Sequence, residues 1–212
     1  MNPSVSSEAF RSAERERQAD AFGMWIFIAS EAMLFGAVLL VYLVARLDHA
    51  EAFAEAAGHL SLPLGTVNTA VLIASSFFMA LAHIFTAGHK GRPAAWSLIV
   101  TAILGTAFLA IKASEYAMEH AEGLAPVFGA PFRYHGPAPA QAELFFNLYF
   151  AMTGLHALHL LSGILAVLVI LLLWRSSDNA RRMRRVQAIG LYWHFIDIVW
   201  VFLFPVLYLI DR

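Results

Sequence analysis

The chain has 212 residues, of which 60% are hydrophobic and 14% are charged, and its formal net charge is −1 at pH 7. Soluble domains carry about 25% charged residues, so this composition excludes an ordinary soluble domain and is typical of an integral membrane protein. The absence of cysteine excludes disulfides, cysteine-ligated zinc and thiolate-bound clusters.

The first 21 residues are polar and mixed in charge, without the short apolar core of a secretory signal. We expect a polar cytoplasmic tail there, followed over 22–212 by a single transmembrane domain. A spanning helix needs about 20 mostly apolar residues, and five stretches are long enough. Their predicted bounds are 22–44, 67–85, 95–118, 144–174 and 188–210. The apolar runs are continuous rather than alternating, which predicts an all-α, polytopic membrane helix bundle with five transmembrane helices.

Lysine and arginine are concentrated at alternate ends of these spans. They occur in the tail, in the connection between the second and third spans, and above all in RSSDNARRMRR between the fourth and fifth spans. The positive-inside rule therefore predicts a cytoplasmic N-terminus and a periplasmic C-terminus. Of the two outer connections, LDHAEAFAEAAGHLSLPLG predicts a short amphipathic helix. The other, over 119–142, contains four prolines and predicts an ordered loop.

Every predicted span contains polar side chains that are unfavourable in hydrocarbon and need a structural or functional reason. In chain order they are Glu31, Asn68, His83, Lys112, Glu115, Glu143, Asn147, His156, His159, His194 and Asp197.

Three pairs of these residues have a structural interpretation. Lys112 and Glu115 lie three residues apart on one helix face and predict an ion pair near the outer surface. The two histidines of TGLHALHLLSG are predicted to be hydrogen-bonded packing residues, with metal ligation as the alternative. His194 and Asp197 predict a hydrogen-bonded pair within or between helices.

Glu31 differs from these pairs because no opposite charge lies within four residues of it in the sequence. It must be protonated, be paired across helices, or face water or lipid headgroups. A proton-linked role is the corresponding functional hypothesis.

The residues alone show no catalytic centre. The paired Glu-x-x-His motifs of di-iron helix bundles are missing, and so are a phosphate loop, a nucleophile–base pair and a stripe of basic and aromatic residues. No nucleic-acid partner is therefore expected. A membrane metalloenzyme of the desaturase kind and a small proton-coupled transporter remain as alternatives.

Five motifs, in order along the chain, resemble subunit III of the haem–copper respiratory oxidases. YWHFIDIVWVFLFPVLYL resembles that family's final helix and contains Trp193, His194, Asp197 and Trp200. FGMWIFIASEAMLFGAVL resembles its helix with a membrane-buried carboxylate, here Glu31. The remaining motifs, VNTAVLIASS, LAIKASEYAMEH and FAMTGLHALHLLSGIL, contain Asn68, Glu115, His156 and His159.

The resemblance covers nearly all of 22–208 and is closest to the short, five-helix bacterial form, whereas long members have seven helices. Lys112 departs from it, because a neutral residue is expected at that position. The polar motif residues Asn68, Glu115, His156, His159, His194 and Asp197 are expected to be structural.

The resemblance implies a non-redox subunit of a proton-pumping terminal oxidase of the cytochrome c oxidase type, which reduces O2 to water in aerobic respiration. Such a chain has no catalytic centre, metal or other cofactor of its own, because haem and copper are expected in subunit I. It would pack against subunit I, in one complex with subunit II and other small subunits, and would stabilise that core. A role in proton uptake or O2 access is also implied.

The same resemblance implies bound phospholipid and a multi-pass location in a bacterial inner membrane. Arg175, at the inner end of the fourth span, is a candidate headgroup contact, with ordinary positive-inside usage as the alternative. Two related assignments remain open, namely quinol oxidase subunit III and the subunit-III-like protein associated with nitric oxide reductases.

Overall fold

A computed structural model describes residues 3–126 and 132–210, with side chains from residue 18 onward. Within these ranges the chain is helical and contains no strand. The helices are α1 (Pro3–Asp48), α2 (Ala50–Ala57), α3 (Leu62–Ala87), α4 (Gly91–Ala121), α5 (Pro139–Leu172) and α6 (Asn179–Tyr208).

Five of these helices are long and apolar enough to cross a membrane, which confirms the predicted fold class. The spans are Gln18–Asp48, Leu62–Ala87, Gly91–Ala121, Pro139–Leu172 and Asn179–Tyr208. The first three contain their predicted segments and extend them at both ends, because backbone hydrogen bonding continues where the side chains become polar. The last two begin earlier than predicted, but they end at Leu172 and Tyr208, two residues before the predicted ends at 174 and 210. Even the polar tail is mostly helical, since α1 begins at Pro3.

Helix boundaries follow local chemistry. At the start of α6, the carboxylate of Asp178 accepts a hydrogen bond from the backbone N–H of Arg181 at 2.8 Å, a standard N-cap. Pro139 lies in the first turn of α5, where its missing N–H leaves no hydrogen bond unmade. Between α3 and α4, His89 adopts a left-handed conformation with φ 57°, and the N–H of Lys90 reaches back to the carbonyl of Phe85 at 2.8 Å.

Helices α3, α4, α5 and α6 form a closed four-helix ring. Helix α3 packs against α4 and α6, and α5 packs against the same two helices. Trp193 of α6 is fully buried in this ring. A Cβ added at Gly105 would lie only 3.0 Å from the Trp193 indole, and one added at Gly163 would lie 3.3 Å from it. The two glycines therefore leave the space that the indole fills.

Helices α1 and α2 lie outside the ring. Helix α1 packs against α5 and α6 and exposes most of its apolar side chains, including Trp25 and Leu40. Helix α2 packs on α5 and confirms the predicted amphipathic helix, because Phe53 is buried between the rings of Tyr42 and Phe145 while Glu51 is exposed.

The predicted loop over 119–142 is shorter than expected. Helix α4 continues to Ala121, and α5 begins at Pro139. Within this connection, the N–H of Arg133 donates to the carbonyl of Gly123 at 2.9 Å. The part of the prediction that covers 127–131 lies outside the described residues.

Candidate functional site

A buried ammonium group lies inside the four-helix ring. Lys112 is only 2% exposed, and its Nζ donates to three oxygens. These are Oε2 of Glu115 at 2.8 Å and the hydroxyls of Tyr149 and Tyr208, each at 2.7 Å. An ammonium has three donors, so every one is used.

Aromatic rings complete the surroundings of this charge. Nζ lies 4.5 Å from the ring centroid of Tyr149, and between 5.3 and 5.6 Å from those of Tyr116, Tyr208 and Trp200. Such cation–π contacts strengthen when water is excluded. The hydroxyl of Tyr208 also donates to Oε1 of Glu115 at 2.8 Å. The predicted Lys112–Glu115 ion pair is therefore confirmed, and it is part of a cluster that joins α4, α5 and α6.

A second cluster connects the outer helix α1 to α5. Nε2 of His159 lies 2.9 Å from Oε2 of Glu31, and the two side chains are 13% and 18% exposed. On the other side of the imidazole, Nδ1 lies 2.8 Å from the carbonyl oxygen of Leu155. A carbonyl can only accept, so Nδ1 carries a hydrogen. The hydroxyl of Tyr192 donates to the backbone carbonyl of His159 at 3.1 Å.

This geometry limits where protons can be held. With Nδ1 protonated, one further hydrogen lies between Nε2 of His159 and the Glu31 carboxyl group. It is attached either to the carboxyl oxygen or to the imidazole. In both arrangements one hydrogen is shared between Oε2 of Glu31 and Nε2 of His159.

A third polar group lies between α3 and α6. Nδ1 of His194 lies 2.8 Å from Oγ of Ser76. These two residues and Asp197 line a cleft of about 300 Å³. Asp197 is 7% exposed, and neither of its carboxylate oxygens forms a hydrogen bond of standard geometry with any described residue.

Comparison with known proteins identifies the family. Residues 14–211 match the family described as "Cytochrome c oxidase subunit III". The chain belongs to this family.

Three relatives represent its branches. A "Cytochrome bo(3) ubiquinol oxidase subunit 3" of Pseudomonas aeruginosa is 33% identical, over 89% of this chain and 83% of the relative. A "Cytochrome c oxidase subunit 3" of Thermostichus vulcanus is 30% identical, over 90% of this chain and 87% of the relative. A "Probable quinol oxidase subunit 3" of Staphylococcus aureus is 27% identical, over 94% of this chain and 92% of the relative. The chain is therefore a haem–copper oxidase subunit III, in a family that includes both donor types.

Two predictions for the motif residues of this subunit III require correction. His194 forms its interhelical hydrogen bond with Ser76 rather than with Asp197, because its Nδ1 faces α3. His156 is fully buried between the rings of Phe108 and Trp200. Neither of its ring nitrogens has a hydrogen-bond partner among the described residues, whereas a hydrogen-bonded histidine was expected.

The remaining motif residues lie in different environments. Asn68 is fully buried in α3, and its amide group has no hydrogen-bond partner within the described part of the chain. Arg175 is exposed in the turn between α5 and α6. Nearby, Nε of Arg182 donates to the carbonyl of Trp174 at 2.9 Å, and its guanidinium lies over that indole at 5.1 Å.

His156 and His159 face different neighbours, because His159 points to α1 and His156 points into the ring. Among the described side chains, no three from His, Cys, Asp and Glu are grouped closely enough to hold a metal ion.

Sequence reasoning missed Tyr149, Tyr208 and Ser76. All three lie on helices other than those of the groups they contact, so no local spacing indicates them.

Proposed function

We propose that this chain is the non-redox subunit III of a proton-pumping terminal oxidase that reduces O2 to water in a bacterial inner membrane. It packs against subunit I, which carries the haem and copper chemistry, within a complex that includes subunit II and other small subunits. Its role is to keep that core active over many turnovers and to aid proton uptake or O2 access. Its basic connections support a cytoplasmic N-terminus and a periplasmic C-terminus, by the positive-inside rule.

The observation that carries the proton-linked part of this proposal is the Glu31–His159 pair. Its two side chains hold one exchangeable proton between Oε2 and Nε2, which are 2.9 Å apart. Because Glu31 is 18% exposed, its carboxyl group can be reached from the surface of the chain, and the proton can pass to a group on a partner subunit. The Lys112 cluster, by contrast, is buried inside the ring, and all three donors of the Lys112 ammonium are used within it, which suits a structural role.

A lipid-binding role is supported by the surface of the chain. Helix α1 exposes large apolar side chains such as Phe22, Trp25 and Leu40. The turn between α5 and α6 is basic, and its exposed Arg175 can reach a phosphate group. Anionic headgroups favour arginine at such membrane edges.

For the electron donor we propose cytochrome c. VNTAVLIASS and the Ser30–Glu31 pair of the first span resemble the cytochrome c branch of the family more closely than the quinol branch. A quinol donor is the second candidate, supported by the ubiquinol oxidase subunit that is 33% identical to this chain.

The test is purification of the chain in mild detergent, with identification of the chains that co-purify and a visible absorption spectrum. The proposal expects an a-type or o-type haem to accompany a large partner subunit, and oxidation of reduced cytochrome c in preference to a ubiquinol. Preferential ubiquinol oxidation would favour the second candidate. A folded, colourless chain without partners would contradict both.

A further inference from the structure

The unpaired carboxylate of Asp197 sets one face of this subunit apart. The side chain is 7% exposed and lies about 27 Å along α6 from Asn179, near the middle of the apolar segment. Neither oxygen has a hydrogen-bond partner of standard geometry within the described residues. Acidic groups at this depth normally pair with another group, so the missing donor needs an explanation.

The chain itself supplies little to this carboxylate. The Ser76 hydroxyl is close enough to interact with it, but outside standard hydrogen-bonding geometry, and it already contacts Nδ1 of His194 at 2.8 Å. On the same wall, Thr69 accepts a hydrogen bond from the indole N–H of Trp200 at 3.0 Å. A rotated Ser76 could satisfy one oxygen of Asp197 at most.

The other acids within the spans differ from Asp197. Glu31 is paired with His159, and Glu115 is paired with Lys112. Glu119 also lacks a hydrogen bond of standard geometry to the described residues, but Lys112 and the hydroxyl of Tyr149 lie close enough to interact with it, and it lies two residues from the end of α4. Asp197 is therefore the acid left without a strong donor at mid-membrane depth in the described structure.

Asp197 faces an open cleft rather than a closed interior. The cleft has a volume of about 300 Å³, and its apolar walls include Ile73, Ile198 and Val201. These three side chains are more than half exposed. Lipid tails can cover the apolar walls, but they offer no donor to a carboxylate. A neighbouring transmembrane helix can cover the apolar walls and also offer a hydrogen-bond donor to the carboxylate. Polar contacts of this kind hold helices together in membranes.

A second groove on the same molecule provides the contrast. It lies between α4 and α5, also has a volume of about 300 Å³, and is lined by side chains such as Ile103 and Leu168. Its one hydroxyl, that of Thr106, already donates to the carbonyl of Ala102 at 2.8 Å. This α4/α5 groove needs nothing beyond lipid.

We propose that the α3/α6 face around Ser76, His194 and Asp197 is the docking surface for a transmembrane helix of another oxidase subunit. That helix places an N–H or O–H donor against the Asp197 carboxylate. The proposal rests on the chain's place in an oxidase complex, but not on the identity of the electron donor or on the role of Glu31.

Photocrosslinking in the intact complex tests this surface. A benzophenone amino acid is introduced singly at Ile73 or Val201, and at Ile103 or Leu168 as matched controls on the α4/α5 groove. After illumination of native membranes, we expect the first two positions to attach to another oxidase chain and the controls to attach to lipid. Attachment to lipid or quinone from all four positions, or to protein from the controls alone, would overturn the proposal.

Substitution of Asp197 provides a second, independent readout. Asp197→Leu should raise the rate at which the subunit dissociates from the detergent-solubilised complex by about tenfold, since a lost buried polar partner acts mainly on dissociation. The isolated full chain should unfold in detergent at the same denaturant concentration as the unsubstituted chain. Thr106→Val, on the control groove, should leave dissociation unchanged. A destabilised chain that remains fully bound in the complex would contradict the proposal.

The outcomes also separate this inference from the proposed function. Absence of any haem-containing partner means that the proposed function fails. A haem-containing complex in which the α3/α6 face contacts only lipid means that the docking surface alone is wrong.

Discussion

Glu31 and His159 are separated by 128 positions in the sequence, yet Oε2 and Nε2 lie 2.9 Å apart. The contact attaches α1, which lies outside the four-helix ring, to α5, which is part of it. Because Nδ1 of His159 is engaged by the Leu155 carbonyl, the pair shares one proton. In the proposed function, the same two side chains therefore combine a structural connection with a site of proton exchange.

The two roles of this pair can be separated with Glu31→Gln. The amide can still donate a hydrogen bond to Nε2 of His159, so the subunit should assemble in normal amounts. It cannot hold the shared proton, so proton uptake or the number of turnovers before inactivation should fall. Chain stoichiometry and O2 consumption measured to exhaustion check both expectations.

Ser30→Ala is the matched control for this variant. Ser30 is exposed, and its hydroxyl donates to the carbonyl of Phe27, one turn earlier in the same helix. Its removal should change neither assembly nor turnover number. If Glu31→Gln prevented assembly, the carboxylate would be a structural group and not a proton carrier.

The Lys112 cluster predicts strong coupling between two charges. Lys112→Met leaves Glu115 buried without its counter-ion, which should lower the free energy of unfolding by about 3–5 kcal/mol. The double variant Lys112→Met/Glu115→Gln removes both charges and should recover part of this loss. Denaturant unfolding of the chain in detergent, arranged as a double-mutant cycle, measures the coupling. Additive single effects would show that the two groups act independently.

Gly105 tests the packing of Trp193. A Cβ at this position would lie 3.0 Å from Cη2 of the indole, so Gly105→Ala should destabilise the chain by about 1–3 kcal/mol. Adding Trp193→Phe, which shortens the ring, should relieve part of the effect.

Gly36 provides the control, because a Cβ there has no neighbouring atom within 4 Å. Gly36→Ala should be neutral or raise stability by up to about 1 kcal/mol, as alanine favours the helix. Equal destabilisation at both positions in detergent unfolding would contradict the packing argument.

His156 and His159 lie almost one turn apart on α5 but should respond differently to substitution by leucine. His156 has no hydrogen-bond partner among the described residues, so His156→Leu should change the free energy of unfolding by no more than about 1 kcal/mol. His159→Leu leaves Glu31 without its partner and should have the larger effect. Unfolding in detergent compares the two variants.

The haem spectrum of the complex with His156→Leu adds a second readout. It should match that of the unsubstituted complex. Loss of bound iron on His156→Leu would instead support the metalloenzyme alternative.

Features of the fold that depend on the spacing of residues close together in the chain could be predicted from the sequence. Five long apolar runs identified the spans, and the amphipathic segment before the second span predicted α2. Lys112 and Glu115 lie three residues apart on one helix, so their pairing was also predictable. The ends of the helices were not predictable. Backbone hydrogen bonds continue past the apolar residues from Pro3 through the tail of α1, whereas α5 and α6 end two residues before the predicted ends of their apolar runs.

Contacts between helices could not be predicted in the same way. Tyr149 and Tyr208 reach Lys112 across 37 and 96 positions, and nothing in their local sequence distinguishes them from other aromatic residues in the spans. The expected His194–Asp197 pair failed for a related reason. Spacing brings two side chains to one helix face but does not decide their rotamers, and His194 turns to Ser76 on α3.

The most direct measurement for the central claim compares the oxidase complex with and without this chain. If the chain is an accessory subunit without a redox centre, the complex that lacks it should keep its haem absorbance and its initial rate of O2 reduction. It should also lose activity after fewer turnovers. Loss of haem absorbance, or an initial rate that falls in proportion to the chain removed, would contradict the claim.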